Sequence, residues 1–308
     1  MNAPFYASLA EGPEDGFAVW ADAADGRRVR LGVWGLDAPN GTVFLFPGRS
    51  EYIEKYGRSA EGLRLRGYAT LSIDWRGQGL ASRVTASHLP GHVGDFAEFQ
   101  LDFAAMLDFA RARGLPEPFY LLGHSMGGCI GLRSLMAPHP FRAAAFSAPM
   151  WGIRMTRWQR PMAEVTSTLA TRFGAPYMYA PSTGPIPYVT TVPFMGNVLT
   201  TDPDMWAYMV RHLKAEPKLA MGGPTMGWLR AALTECAALA RSPSPDLPAY
   251  VGLGTHERVV DPGPITARMP GWPRGMLELF PGDEHEILME RDRDVFLGKV
   301  TELFNKAR

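Results

Sequence analysis

Short apolar runs alternate with polar segments through the first half of the chain. The runs at 17–23 and 28–36 flank an Asp-Gly turn, which predicts an antiparallel hairpin. Further short, continuous runs predict buried strands, and they lie at 42–48, 68–75, 119–125 and 141–150. Glycine or proline follows several of these runs, as expected where a strand gives way to a turn.

A helix is predicted between the strands at 68–75 and 119–125. Within 95–114 the apolar residues recur at near-helical spacing, namely at Phe96, Phe99, Phe103, Met106, Leu107 and Phe109, and Gly114 closes the segment. Strand, helix and strand in succession indicate a mostly parallel sheet with helices on its faces. The predicted fold class is therefore α/β.

This alternation stops after about residue 150 and resumes near residue 242. The intervening segment, 151–241, is rich in methionine, aromatic residues and proline, and 241–248 has the composition of a linker. Strands at 249–254 and 276–282 and an amphipathic helix at 293–307 follow. We therefore predict an α/β core formed by 1–150 and 242–308, with 151–241 inserted as a helical cap.

Composition restricts the class of protein. The chain has 308 residues, of which 46% are hydrophobic and 20% charged, so it is long enough for a sizeable core. Basic and acidic residues balance at 31 each, which disfavours nucleic acid as a partner. Two cysteines, Cys129 and Cys236, cannot form a disulfide scaffold, and Cys129 is expected to be a buried thiol. With neither a signal-peptide pattern nor a membrane-length apolar run, a cytoplasmic protein is expected.

The segment Gly123-His124-Ser125-Met126-Gly127 carries the chemistry. A Gly-x-Ser-x-Gly pattern between an apolar strand and a helix-compatible run is typical of a nucleophile elbow, which lifts the serine hydroxyl clear of the sheet. Ser125 is therefore the candidate nucleophile. The alternative is a turn serine with glycines nearby by chance.

A serine nucleophile needs a base to take its proton. Where the nucleophile sits on such an elbow, the chain order is serine, acid, histidine. Among the seven histidines, His285 follows the last predicted strand and precedes the closing helix, so it is the predicted base. The oxyanion formed on the substrate also needs donors. We predict the backbone N–H groups of Met126 and, after the strand at 42–48, of Arg49.

Three segments together resemble the lysophospholipase and monoacylglycerol-lipase branch of the α/β-hydrolase superfamily, the serine-aminopeptidase-like hydrolases. "FPGRSEYIEKY" resembles the branch's His-Gly-x-x-Glu-x-x-x-x-Tyr loop, with Glu51 and Tyr56 in matching places. "DWRGQGLASR" resembles its Asp-x-Arg-Gly-x-Gly-x-Ser segment, and "GHSMGG" is shared by many members. The resemblance implies a helical cap between the sixth and seventh strands, where 151–241 falls.

The chain departs from the family pattern at two places. Pro47 stands where most members carry histidine, which puts the positioning of the loop in doubt but leaves the N–H of Arg49 available. Members also typically show Gly-Ser-x-Asp-x-x-x-Asp where this chain has 254–261, so the first acidic position is Glu257 and the second Asp261. We predict Glu257 as the triad acid, with Asp261 as the alternative. Because Asp261 precedes Pro262, it has the pattern of a helix N-cap.

Other signals leave alternatives open. The methionine-rich cap could line an acyl-chain tunnel or form its own core. Arginines recur at three-residue spacing on a predicted helix and could meet a phosphate head group or an anionic bilayer, or lie on a solvated face; they are Arg154, Arg157 and Arg160, with Arg172 further along. His88 and His92 have metal-pair spacing, but Pro90 and Gly91 between them disfavour a helix. No metal or cofactor is predicted.

These observations predict a serine hydrolase that cleaves acyl esters through an acyl-enzyme. The resemblance implies lysophospholipids or monoacylglycerols as substrates, with transient contact between the cap and a membrane surface. The alternatives are a proline-iminopeptidase-like peptidase or amidase and a catalytically silent binding protein. An intact serine, acid and histidine set disfavours the silent protein.

Overall fold

The computed structural model describes residues 1–85, 87 and 89–308. Eight strands form one sheet: β1 Phe17–Asp22, β2 Arg28–Trp34, β3 Thr42–Phe46, β4 Ala69–Asp74, β5 Phe119–His124, β6 Phe141–Ser147, β7 Ala249–Gly254 and β8 Gly275–Phe280. Every strand predicted from the apolar runs is present.

Helices connect most of these strands. They are α1 Ala7–Ala10, α2 Gly57–Arg64, α3 Glu98–Arg113, α4 Met126–Ser134, α5 Gln159–Arg172, α6 Tyr188–Thr191, α7 Pro203–Ala215, α8 Met226–Arg241, α9 Pro262–Arg268 and α10 Arg293–Lys306. The predicted helices at 95–114 and 293–307 correspond to α3 and α10. Gly114 ends α3 in the left-handed conformation at φ 67°, where a side chain would be strained. Within the described chain, no helix combines the length and the apolar character needed to cross a membrane.

The sheet runs in the order β1-β2-β4-β3-β5-β6-β7-β8. The first hairpin is antiparallel, with Phe17 opposite Val33, and β2 is also antiparallel to β4. The pairs from β4 to β8 are all parallel. The sheet is therefore mostly parallel, as the alternation of strands and helices predicts, and the carboxyl ends of β3, β5, β6, β7 and β8 meet at one edge.

Both faces of the sheet are buried over its central strands. Alternate residues of β3 point to opposite sides, so Phe44 packs against α3 and α4 while Val43 packs against α2 and α10. Neither face meets water over the central strands, and this explains why those strands read as continuous apolar runs rather than as alternating ones.

The segment between β6 and β7 contains four helices, α5 to α8. Helix α8 packs against α5 on one side, and on the other it lies against α4, where Arg133 and Glu235 form an ion pair at 2.5 Å. Cys236 on α8 and Cys129 on α4 are buried free thiols, as predicted for Cys129. Helix α8 therefore connects the inserted segment to the core.

The predicted helical placement of the cap arginines is wrong for two of them. Helix α5 begins at Gln159, so Arg154 and Arg157 precede it. The chain here leaves the sheet in an extended course in which Ile153 pairs with Val260, and this pairing keeps the segment out of a helix.

Candidate active site

Ser125 occupies a sharp turn between β5 and α4. Its φ of 51° and ψ of −118° are strained for a residue with a side chain, and such strain is typical of functional turns. The turn also brings chains very close together, because a Cβ added to Gly127 would overlap the carbonyl oxygen of Phe46. The local geometry is that of a nucleophile elbow, with Ser125 at its apex and the N-terminus of α4 behind it.

His285 lies on the loop after β8, residues 281–290, which we call the base loop. Its Nδ1 is 2.7 Å from Oε2 of Glu257, and both side chains are buried. A carboxylate at this distance fixes the imidazole with its proton on Nδ1, so Nε2 is left as the acceptor. Ser125 and His285 line the same cavity.

The other carboxylate oxygen of Glu257 is also occupied. Oε1 accepts the N–H groups of Val259 at 2.5 Å and Val260 at 3.0 Å. Burial alone would raise the pKa of Glu257, but the charge of His285, its hydrogen bond and the two N–H groups together lower that pKa below its usual value. The guanidinium of Arg154 donates to the main-chain oxygen of Glu257 at 2.6 Å and holds this loop.

Asp261 and His256 lie elsewhere. The carboxylate of Asp261 accepts the N–H of Gly263 at 2.9 Å at the N-terminus of α9, and Pro262 is the first helical residue. The helix-cap pattern predicted for Asp261 is confirmed. His256 is exposed.

The two predicted oxyanion donors flank the elbow. Among the described residues, neither the N–H of Arg49 nor that of Met126 has an intramolecular acceptor. The neighbouring amides are different: Gly48 N donates to the Glu51 carboxylate, and Ser50 N donates to Gln78 at 2.8 Å. The N–H groups of Gly48 and Ser50 are therefore occupied by acceptors within the protein, whereas the two predicted donors remain available.

The loop carrying Arg49 is held without the family histidine. The indole N–H of Trp75 donates to the carbonyl oxygen of Pro47 at 3.0 Å, and the Gln78 amide donates to the carbonyl oxygen of Gly48 at 3.2 Å. Gln78 therefore binds this loop through both ends of its amide. The doubt raised by Pro47 about loop positioning is answered by these contacts, which the sequence pattern did not reveal.

A buried polar cluster lies beside His285. The ammonium of Lys55 is 2.6 Å from Glu51 and 2.5 Å from Glu286, and the hydroxyl of Tyr56 donates to Glu51. Burial would raise the pKa of Glu51, but the Lys55 charge lowers it, whereas burial raises that of Glu286. His124 also adjoins the cluster, and burial lowers its pKa to about 3, so its ring is neutral.

Three of these side chains could ligate a metal, since potential ligand atoms of Glu51, His124 and Glu286 lie within 4.8 Å of one another. The Lys55 ammonium already bridges the two carboxylates and balances part of their charge. Of the histidine pair considered for a metal, His92 is buried with Nδ1 2.8 Å from the Thr225 hydroxyl, and His88 lies outside the described residues.

The cavity above Ser125 has a volume of about 560 Å³. Its polar end carries the Ser125 hydroxyl and the Lys55 cluster, and the remaining wall is largely apolar, formed by Met150, Ile153, Ile186, Val189, Val198, Leu199, Leu213, Met221, Val259 and Val260. A larger surface groove of about 680 Å³ lies near the opposite ends of the strands and contains none of the candidate site residues.

The base loop is tied to the inserted segment through a stretch we call the strap, residues 197–202. The fully buried carboxylate of Glu290 accepts the N–H and hydroxyl of Thr201 at 2.9 and 2.6 Å and the N–H of Glu284 at 2.9 Å. Arg258, next to Glu257, donates to a main-chain oxygen of the strap at 3.0 Å. The strap therefore contacts the loops that carry Glu257 and His285.

Comparison with known proteins identifies the family. Residues 37–292 match the serine aminopeptidase S33 family, Hydrolase_4. The chain belongs to this family. It is 33% identical over 280 residues to lysophospholipase L2 of Escherichia coli K12, covering 86% of this chain and 80% of that protein. A monoacylglycerol lipase of Mycolicibacterium smegmatis is 32% identical over 106 residues, about a third of each chain.

Solved structures share the fold. A soluble variant of the Saccharomyces cerevisiae monoglyceride lipase superposes with a TM-score of 0.72 over 93% of this chain and 94% of that one, at 21% identity. The predicted α/β-hydrolase fold is thereby confirmed. The family match and these relatives establish that the chain is a serine ester hydrolase, as predicted. They favour this function over that of a peptidase.

Proposed function

We propose that this hydrolase cleaves the carboxylic ester of a lysophospholipid or monoacylglycerol through an acyl-enzyme formed on Ser125. The proposal rests on one observation above all: a strained serine shares a largely apolar cavity with a histidine whose Nδ1 is hydrogen-bonded to a buried carboxylate. A flexible acyl chain fits apolar walls, and the ester then lies at the polar end. The names of the relatives favour these two substrates.

In the first step His285 accepts the Ser125 proton on Nε2 while Oγ attacks the ester carbonyl carbon. The imidazolium that forms is stabilised by Glu257, whose lowered pKa keeps it ionised at neutral pH. The carbonyl oxygen becomes an oxyanion that accepts the N–H groups of Arg49 and Met126. Each such donor contributes about 3–4 kcal/mol to the transition state.

Collapse of this intermediate expels the alcohol, which takes its proton from His285. Water then attacks the acyl-enzyme, with His285 again acting as base, and the fatty acid leaves. Every proton passes through the same imidazole, so removal of Glu257, which fixes its tautomer, slows both halves of the reaction.

We also propose that residues 151–241 act as a cap over the core formed by 1–150 and 242–308. Cap residues supply much of the apolar cavity wall, including Ile186 and Val189. The contacts of α8 with α4 support a firm attachment of the cap at its C-terminal end.

The cap also presents an apolar face that supports contact with lipid. Five large side chains, between 46% and 78% exposed, follow one another at helical spacing along and beside α5: Trp158, Met162, Val165, Leu169 and Phe173. Arg157 and Arg172 are exposed nearby. An apolar stripe with cations beside it suits the interface of an anionic bilayer.

The lipid-contact proposal is tested by sedimentation with phosphatidylglycerol vesicles. Replacing Leu169 and Phe173 together by serine is expected to reduce the bound fraction. Leu65→Ser removes an exposed leucine, at 69%, from the end of α2 and serves as the control. Equal binding by all three proteins would contradict the proposal.

The catalytic proposal is tested with a fluorophosphonate probe and a substrate panel. We expect Ser125 to be labelled in the folded protein and Ser125→Ala to remain unlabelled. A panel of p-nitrophenyl esters of increasing chain length, run beside aminoacyl amides, is expected to show turnover of esters with a preference for acyl chains. A preference for the amides would overturn the lipid-ester assignment.

A further inference from the structure

The side chain of Arg49 enters the same cavity as Ser125. Its guanidinium donates to the carbonyl oxygen of Gly222 at 2.7 Å and to the Ser50 hydroxyl at 3.1 Å. It also stacks over the indole of Trp228, 5.3 Å from the ring centroid. These three contacts hold the group in one place at the cavity wall, so its charge is preorganised.

The charge of Arg49 is not balanced by the protein. Considering the residues that the structure describes, no carboxylate pairs with Arg49, and its Nε–H is buried without an acceptor. The two fully buried arginines differ, because Arg30 binds Glu54 and Asp74, and Arg76 is likewise paired with acidic groups. A guanidinium has five N–H donors, and the contacts of Arg49 use two of them.

The wall around Arg49 is shaped to admit the guanidinium. Gly91 lies against it, and a Cβ at this position would overlap Nη2. Burial lowers the pKa of Arg49 to about 9, so the group is still cationic at neutral pH. A cation that is partly withdrawn from water and has no counter-ion is unfavourable, and an anionic ligand would relieve that cost.

Other charges line the cavity. Glu51 and Glu286 would repel an anion, but the Lys55 ammonium lies between them at 2.6 and 2.5 Å. None of these three groups contacts Arg49. The only cation of the cavity wall without an acidic partner, among the described residues, is therefore Arg49.

We propose that the Arg49 guanidinium binds the phosphate of a lysophospholipid while the backbone N–H of the same residue binds the ester oxyanion. This inference rests on the proposed ester-hydrolase function and names its preferred substrate class as phosphate-bearing monoacyl esters. The glycerol spacer between the ester and the phosphorus is similar in length to an arginine side chain, so one residue can reach both groups. Guanidinium and phosphate pair through charge-assisted hydrogen bonds.

The test compares kcat/KM for a lysophosphatidylglycerol and for the monoacylglycerol with the same acyl chain, both below micelle-forming concentrations. The wild-type protein is expected to prefer the phospholipid by about tenfold or more, which corresponds to about 1.4 kcal/mol. Arg49→Gln is expected to lose this preference, and Arg49→Lys, which keeps the charge without the planar fork, to keep part of it. Any change at the oxyanion N–H affects both substrates and cancels in the ratio.

Arg142→Gln is the matched control, since Arg142 is exposed on β6 and its loss changes the net charge equally. Its substrate ratio is expected to equal that of the wild type. A wild-type protein that cleaves both esters at similar kcat/KM, or an Arg49→Gln ratio within about twofold of wild type, would overturn the role of Arg49 and leave the ester-hydrolase proposal standing. Failure of the wild type to cleave either ester would instead count against the proposed function itself.

Discussion

The assignment of the acid can be decided by replacing Glu257 with glutamine. Glutamine keeps the shape of the side chain but has only one oxygen. The N–H groups of Val259 and Val260 require that oxygen where Oε1 now lies, at 2.5 and 3.0 Å, so the amide NH₂ must face Nδ1 of His285. The imidazole is then forced to carry its proton on Nε2, where it cannot accept one from Ser125.

The expected loss follows from this wrong tautomer. It corresponds to about 10⁴-fold in kcat, or about 5.5 kcal/mol in the activation free energy. The assay is the initial rate of p-nitrophenyl ester hydrolysis, with thermal unfolding to show that the variant is folded. Asp261→Asn is the control, because asparagine caps a helix as well as aspartate, and its kcat should stay near that of wild type. The opposite result, in which Asp261→Asn loses the activity and Glu257→Gln retains it, would identify Asp261 as the acid.

Three further predictions concern stability. Ser125→Gly should be more stable than Ser125→Ala by about 1–2 kcal/mol and should unfold at a higher temperature, because glycine accepts the φ of 51° and alanine does not. Equal melting temperatures would show that the turn is unstrained. Arg30→Met should cost about 3–5 kcal/mol in urea unfolding, since it leaves Glu54 and Asp74 buried without a cation, and a loss below about 1 kcal/mol would contradict this. Burial raises the pKa of Asp283 to about 7, so the folded chain retains a proton that the unfolded chain releases and stability falls from about pH 4 to pH 7. Asp283→Asn should remove that fall, and its melting temperature relative to wild type should therefore rise over this window; a constant difference would contradict the expectation.

The fold was largely predictable because the central strands are buried on both faces. A continuous apolar run such as that of β3 fits a strand covered on both faces and few other structures. The Gly-x-Ser-x-Gly turn marks the junction between β5 and α4, which helps to place the elements on either side of it. The loss of strand-helix alternation after residue 150 also predicted a helical segment between β6 and β7, and helices α5 to α8 lie there. Local pattern was misleading at Arg154, because the pairing of Ile153 with Val260 prevents the helix that the spacing suggested.

The polar interior was not predictable in the same way. Arg30 lies in a strand whose pattern would place an arginine in water, yet it is fully buried because Glu54 and Asp74, distant in sequence, pair with it. Gln78 gave no signal at all, although both ends of its amide hold the loop that carries Arg49. Whether such a polar side chain is buried depends on partners that only the tertiary fold brings together. The local spacing of apolar residues therefore carries no information about it.

The strap has a practical consequence for chimaeras in which the cap is exchanged with that of a relative. A graft that replaced all of 151–241 would remove Thr201 and leave the carboxylate of Glu290, within the base loop, buried with fewer donors. Junctions placed before residue 197 would transplant α5 and α6 while preserving the contacts that hold the loop of His285. Cap segments could then be exchanged among relatives to alter substrate choice while the loops of Glu257 and His285 keep their contacts with the strap.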